Sequence, residues 1–201
     1  MIFVITGTSG CGKTSLVRLV LGNLKDVQFA VSHTTREMRS SEEEGRDYYF
    51  VSDSEFKQII KEEKFVEWAT VHGNYYGTSR REIEKKGALG DLLLDIDVQG
   101  AHQVKSRIKK AVFIFILPPS FQELQRRIKG RGQDDAGSIQ TRLDVACKEI
   151  RAYPGFDYII INDQLDKAAK ELESIIISTR CKLESCKKEI AAVIRSFSED
   201  E

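Results

Sequence analysis

Eight residues near the amino terminus, Gly7-Thr8-Ser9-Gly10-Cys11-Gly12-Lys13-Thr14, restrict the fold more than any other part of the chain. They match G-x-x-x-x-G-K-[ST] in full, a pattern that carries weight only between a strand and a helix. Both flanks are present. Residues 2–6 are a strand-like run of β-branched and aromatic side chains, and residues 13–24 place Leu16, Leu19 and Val20 at helical spacing. Glycine permits backbone conformations closed to other residues and lets amides approach an anion. The positive end of the following helix faces the same place. Lys13 adds a full charge for β and γ phosphates, and the Thr14 hydroxyl is placed for a Mg²⁺ ion. Triphosphate binding by Gly7 through Thr14 follows; the acceptor stays open.

The strand-then-helix rhythm returns at 91–96, 111–117 and 157–161. These apolar runs lack polar alternation, which suits parallel strands covered on both faces. Right-handed crossovers then give an α/β architecture, a P-loop NTPase-type doubly wound parallel sheet of about five strands. Leu92-Leu93-Leu94-Asp95 ends one strand on an acid, the form of a metal-holding Walker B aspartate. Asp97 points to the same side as Asp95 if that strand continues. An acid after a strand is equally a helix N-cap, so the neighbouring glycine loop carries the metal assignment.

Residues 28–77 interrupt the rhythm. Short strands are expected at 29–31, 48–51 and 65–72, and Ser52-Asp53-Ser54-Glu55 is a capping box opening a helix to about residue 63. Gly73-Asn74 marks a turn. The stretch reads as a small mixed α/β insertion with its own ligand contacts. A second irregular piece, 130–138, is glycine-rich and polar, as a mobile cover would be. From residue 166 the chain reads as helix, with Leu172, Ile176, Thr179, Leu183, Cys186, Ile190, Val193 and Phe197 spaced alternately by four and three. Core docking of the first half and a dimer seam in the second both fit that spacing.

The 31 basic and 31 acidic side chains cancel, so no global field draws the chain to nucleic acid or an anionic membrane. Neither a signal peptide nor a membrane-spanning run is expected. Cys11, Cys147, Cys181 and Cys186 form no CxxC pair and have no histidine at metal spacing, which reads as reduced thiols in a cytoplasmic protein. His33, His72 and His102 are scattered and fit no catalytic pattern.

Further blocks follow in order: Ser32-His33-Thr34-Thr35-Arg36-Glu37-Met38-Arg39, Gly45-Arg46-Asp47-Tyr48-Tyr49-Phe50, Phe65-Val66-Glu67-Trp68-Ala69 and Gly73-Asn74-Tyr75-Tyr76-Gly77-Thr78. With Leu94 to Gly100, Phe115 to Ser120, Gly130-Arg131-Gly132 and Asn162-Asp163, they make the chain resemble the guanylate kinase family from about residue 2 to about residue 176. The resemblance implies one domain, with a core of 1–31, 79–125 and 143–180, a GMP-binding insertion of 32–78, a helical lid of 126–142 and a helical extension of 181–201. It implies phosphoryl transfer from Mg-ATP to GMP. The GMP phosphate would be held by Arg36, Arg39, Tyr48 and Tyr76, since guanidinium forks suit a phosphate dianion. Guanine would be read by Ser32, Glu67 and Thr78, and Asp97 matches a family aspartate near the acceptor. Arg127, Arg131 and Arg142 map to lid arginines, with Arg126 a solvated neighbour. Asn162 and Asp163 fall where the family contacts adenine, although an N-cap pair would look the same.

The chain departs from the family pattern at Thr8 and Met38, which replace prolines, at a loose lid segment 133–137, and in the tail beyond about residue 180. Two rivals remain. Guanylate kinase-like binding modules lack a working glycine loop, and no partner domain is expected ahead of residue 1. A kinase of the same architecture acting on another monophosphate keeps every motif except the base readers.

Overall fold

Side chains on both faces of the central strands are apolar, and that decides the architecture. The computed structural model describes residues 1–71, 73–130 and 136–198. It begins β1 (Ile2–Gly7), α1 (Lys13–Asn23), β2 (Val27–Phe29), β3 (His33–Thr34), β4 (Tyr49–Phe50), α2 (Asp53–Lys61), β5 (Phe65–Val71), β6 (Asn74–Ser79) and α3 (Arg80–Gly87). It continues β7 (Asp91–Asp95), α4 (Val98–Arg107), β8 (Ala111–Leu117), α5 (Phe121–Lys129), α6 (Ala136–Glu149), β9 (Tyr158–Ile161), α7 (Leu165–Arg180) and α8 (Lys187–Ser198).

A five-stranded parallel sheet runs in the order β2-β7-β1-β8-β9. Phe3 and Ile5 of β1, with Leu93, Ile114, Ile116 and Ile160, pack on Leu16, Val17 and Val20 of α1 and on Ala169, Leu172 and Ile176 of α7. Val4, Leu92, Leu94 and Phe113 point the other way, onto Ala101 and Val104 of α4. Two covered faces explain why these strands show no alternation. The strand order reverses beside β1, and the glycine loop leaves its carboxyl end at that switch point, where open α/β sheets bind ligands.

The insertion forms a mixed sheet in the order β4-β3-β6-β5. β2 lies just ahead of the insertion and pairs in parallel with β7 in the main sheet, where Val27 joins the core. The capping box at Ser52 and Glu55 forms as expected. α2 ends at Lys61, two residues early. Glu63 takes a left-handed φ of 52°, and the Glu63 and Lys64 amides close the helix on Ile60 and Ile59 carbonyls at 2.9 and 3.2 Å. β5 is an edge strand, and α4 covers it. Gln103 Oε1 accepts from Trp68 N at 3.2 Å, Gln103 Nε2 donates to Trp68 O at 2.6 Å, and Arg107 donates to Val66 O. Unpaired edge groups are thereby satisfied, and β5 is held in place against the core.

The tail is not the single helix its spacing implies. α7 stops at Arg180, Ser185 Oγ donates to Thr179 O at 2.9 Å, Cys186 Sγ donates to Arg180 O at 2.9 Å, and α8 starts afresh at Lys187. These side chains satisfy the last carbonyls of α7 and so end it. Leu172, Ile176 and Thr179 are buried while Leu183 is 70% exposed. The first half therefore docks on the core. α8 begins beside the starts of β1, β7, β8 and β9, where Met1, Asp91, Ala111, Tyr158 and Lys188 line one cleft, at the end of the sheet away from the glycine loop.

Candidate active site

The loop from β1 to α1 is held from behind. Asn162, fully buried after β9, donates through Nδ2 to Cys11 O at 2.8 Å. The Arg127 guanidinium bridges Asn162 O at 3.0 Å and Cys11 O at 3.4 Å, while Glu123 pairs with Arg127 Nε at 2.7 Å. Gly12 has φ 92°, and a side chain there would meet Asn162 Nδ2 at 2.4 Å, so only glycine fits. Helix α7 takes Gln164 as its N-cap, without a side-chain bond, so Asn162 and Asp163 are not its caps. Asn162 instead sets the loop's shape, and Asp163 is exposed.

Lys13 Nζ donates to Gly7 O at 2.7 Å. Burial alone would lower its pKa, but Cys11 and then the acids Asp95, Glu149 and Asp97 together outweigh burial and keep the ammonium charged. Thr14 is exposed in the first turn of α1. Asp95 ends β7, and burial raises its pKa against the pull of Lys13. A half-buried carboxylate compensated by one lysine, next to an exposed hydroxyl, fits a hard cation that takes its other ligands from phosphate and water. Among the described residues no group of three or more His, Cys, Asp or Glu could hold a metal unaided. Asp97 does not continue the strand beside Asp95. It N-caps α4, accepting from Gly100 N at 2.8 Å.

The acceptor side is organised by β3, β5 and β6. Thr34 Oγ1 donates to Tyr75 O at 3.0 Å and accepts from Arg36 N at 3.2 Å, fixing the turn that presents Arg36. Arg36 Nη2 reaches both Glu42 oxygens, at 2.8 and 3.0 Å, and the guanidinium lies 5.5 Å from the Tyr48 ring centre. Arg36 also bonds Tyr76, whose ring meets Tyr48 edge-on at 5.9 Å. Arg39 is exposed, and its amide donates to Glu42 Oε2 at 2.9 Å. Burial, then Asp95, pushes the Tyr48 phenol up to about 12, so it stays a hydrogen-bond donor. Asp95 thus acts electrostatically on both Lys13 and Tyr48.

Glu67, Thr78 and Ser32 form one chain of bonds. Thr78 bonds Glu67 through hydroxyl and amide, and the Ser32 and Thr78 hydroxyls are 3.0 Å apart. Burial pushes the Glu67 carboxyl up to about 7. A bulge between Phe65 and Glu67 sets its direction. Of the arginines assigned to the lid, Arg127 already lies against the loop, and Arg142 Nη2 bonds Ser9 Oγ at 3.0 Å from within α6. Arg126 is exposed. Arg131 and most of the expected cover, residues 131–135, lie outside the described residues. Ala136 onward is helix.

A family model described as guanylate kinase matches residues 1–179. The chain belongs to the guanylate kinase family. Family relatives include a guanylate kinase from Geobacter metallireducens, 46% identical over 183 residues with 90% of each chain covered. Another, from Shewanella violacea, is 49% identical over 181 residues, covering 89% of this chain and 87% of its own. The crystal structure of guanylate kinase from Anaplasma phagocytophilum superimposes with a TM-score of 0.76 at 32% identity, covering 91% of this chain and 87% of that one.

Three residues escaped the sequence reading. Glu149, at the end of α6, accepts from Ser9 N at 3.4 Å and so faces an amide of the glycine loop. Glu42 pairs with the Arg36 guanidinium at 2.8 Å. A glutamate on a helix or loop ordinarily reads as solvated surface, and neither position carries any other signal. Gly100 belongs to the quoted Leu94–Gly100 motif, but its role is visible only in space: a Cβ there would stand 2.4 Å from Glu67 Oε2. Gly100→Ala is therefore expected to raise the KM for GMP roughly tenfold by displacing Glu67, with the KM for ATP unchanged. Steady-state kinetics with each substrate varied in turn would show it, and an unaltered KM for GMP would reject the contact.

Proposed function

We infer that this chain transfers the γ-phosphoryl group of ATP to GMP, giving ADP and GDP, with Mg²⁺, in the cytoplasm. The observation that supports this most is that one carboxylate, Asp95, acts on a group in each of two anion cradles. One is made of loop amides and Lys13. The other is made of Arg36, Arg39, Tyr48 and Tyr76, with the buried Glu67–Thr78–Ser32 chain behind it. The attacking oxygen of a monophosphate is already anionic, so no general base is needed. Catalysis then rests on alignment and charge neutralisation.

Gly7 through Thr14 would hold the triphosphate, with Asn162 and Asp163 on the adenine side. Thr14 and Asp95 would hold Mg²⁺, which neutralises charge on the β and γ oxygens. Lys13 and Arg142 would stabilise the transferring group, and Arg127 keeps the loop in shape; Arg131 would join on closure. Ser32, Glu67 and Thr78 read guanine, because a carboxylate accepts from its N1 and 2-amino hydrogens whereas adenine offers neither. Asp97, beside Glu67 through Gly100, supports that pocket. The working division is core 1–31, 79–125 and 143–180, acceptor insertion 32–78, lid 126–142 and extension 181–201. The test offers GMP, AMP, UMP and CMP separately with Mg-ATP and scores ADP release. Turnover on GMP alone is expected. No turnover on any would place the chain among binding modules, and turnover on AMP or UMP but not GMP would refute the guanine assignment.

A further inference from the structure

Helix α8 lies beyond the 179 residues that the family model matches, at the end of the sheet away from the glycine loop. Its apolar side chains fall on one stripe: Ile190, Val193, Ile194 and Phe197, at helical spacing. Val193 is 57% exposed, Ile194 61% and Phe197 76%. A stripe this open on a terminal helix is a docking face. The charges specify the partner. Lys187 and Lys188 begin the helix, and Glu199-Asp200-Glu201 follow it in sequence, an order unfavourable for the helix's own dipole.

We propose that α8 pairs antiparallel with α8 of a second copy of this chain. A twofold axis between Val193 and Ile194 places Ile190 opposite the partner's Phe197 and Val193 opposite the partner's Ile194. The same axis brings Lys187 and Lys188 to the end from which the partner's Glu199-Asp200-Glu201 run issues. It also sets Glu189 within one turn of the partner's Arg195. The stripe and both charged ends thus meet their complements under one symmetry operation, as an isologous contact requires. A parallel pair would instead set lysines on lysines. Two short helices bury less than a standard interface, so the association is weak and concentration-dependent. Helix α8 starts at the end of the sheet away from the glycine loop, so the dimer is expected to leave phosphoryl transfer unaffected.

Sedimentation equilibrium of the full chain over rising concentration tests this. The mass is expected to climb from 22.8 kDa towards twice that value, more steeply at low salt. Val193→Asp with Phe197→Asp should hold it at one chain. Lys187→Glu with Lys188→Glu should weaken association about tenfold, and adding Glu199→Lys with Asp200→Lys should restore it. The first of these exchanges places acids at the α8 amino terminus and so leaves helicity by circular dichroism undiminished, which separates lost pairing from unfolding. A single-chain mass at every concentration would overturn the proposal. So would a dimer indifferent to Val193 and Phe197, or one indifferent to the charge exchange.

Discussion

Lys13→Ala is expected to lower kcat by about 10³-fold, the scale of losing one fixed donor to a developing charge, while GMP binding stays within about twofold. The reason lies in what surrounds the ammonium. Its Nζ is held 2.7 Å from Gly7 O, and Asp95, Glu149 and Asp97 all favour its charged form. Removing it withdraws the positive charge and leaves the half-buried Asp95 to repel the incoming phosphates. Arg36, Tyr48 and Glu67 do not contact Lys13, so the acceptor pocket keeps its shape. Single-turnover transfer from labelled ATP, with calorimetric titration of GMP, separates the two effects. A kcat within tenfold of wild type would remove Lys13 from the reaction.

The second large effect is on guanine recognition and its pH dependence. Burial pushes Glu67 up to about 7, against the bonds from Thr78 and with the help of Asp97. Guanine donates two hydrogens, so it requires the ionised carboxylate. Between pH 8 and pH 6 the ionised fraction falls about tenfold, and the KM for GMP should rise by that factor. The GMP phosphate titrates near 6 and adds a smaller rise of its own. In Glu67→Gln only that phosphate-linked rise should remain, on a KM about 10²-fold higher, because the amide presents a donor where guanine needs an acceptor. The KM for ATP should move in neither case. Stability runs the other way. A folded pKa raised from 4.5 to about 7 contributes fully below 4.5 and is lost as pH rises through 7. At pH 8, Glu67→Gln should therefore melt higher than wild type while binding GMP worse. A KM profile for GMP that keeps its inflection near 7 in Glu67→Gln would take base reading away from Glu67.

Much of this was legible because the fold and the loop announce themselves in spacing. Apolar runs without alternation marked the doubly covered strands, and the glycine pattern marked the switch point beside β1. The reading failed where spacing carries no information. α3 has one large apolar side chain, Ile83, in eight residues, so no period marked it. The four-three spacing of the tail continued across Cys181 to Cys186, yet side-chain bonds to the α7 carbonyls broke the helix there. Asp97 resembled a strand residue until α4 took it as a cap. Glu42 and Glu149 are acids placed against cradles built for anions, a contact between segments remote in sequence from Ser9 or nearby only through a folded loop.

The attachment of the insertion is lopsided. Along β5 it is tied by Gln103 and Arg107 and by the Glu67–Gly100 contact. Beside Tyr48, Arg18 meets Asp47 at 3.3 Å across an exposed gap. The Glu67 edge of the insertion is moored by several bonds to α4, whereas its far edge reaches the core where Arg18 meets Asp47 and where the Tyr49 hydroxyl donates to buried Glu82 at 3.2 Å, so strain arriving from the core is felt unequally at its two margins.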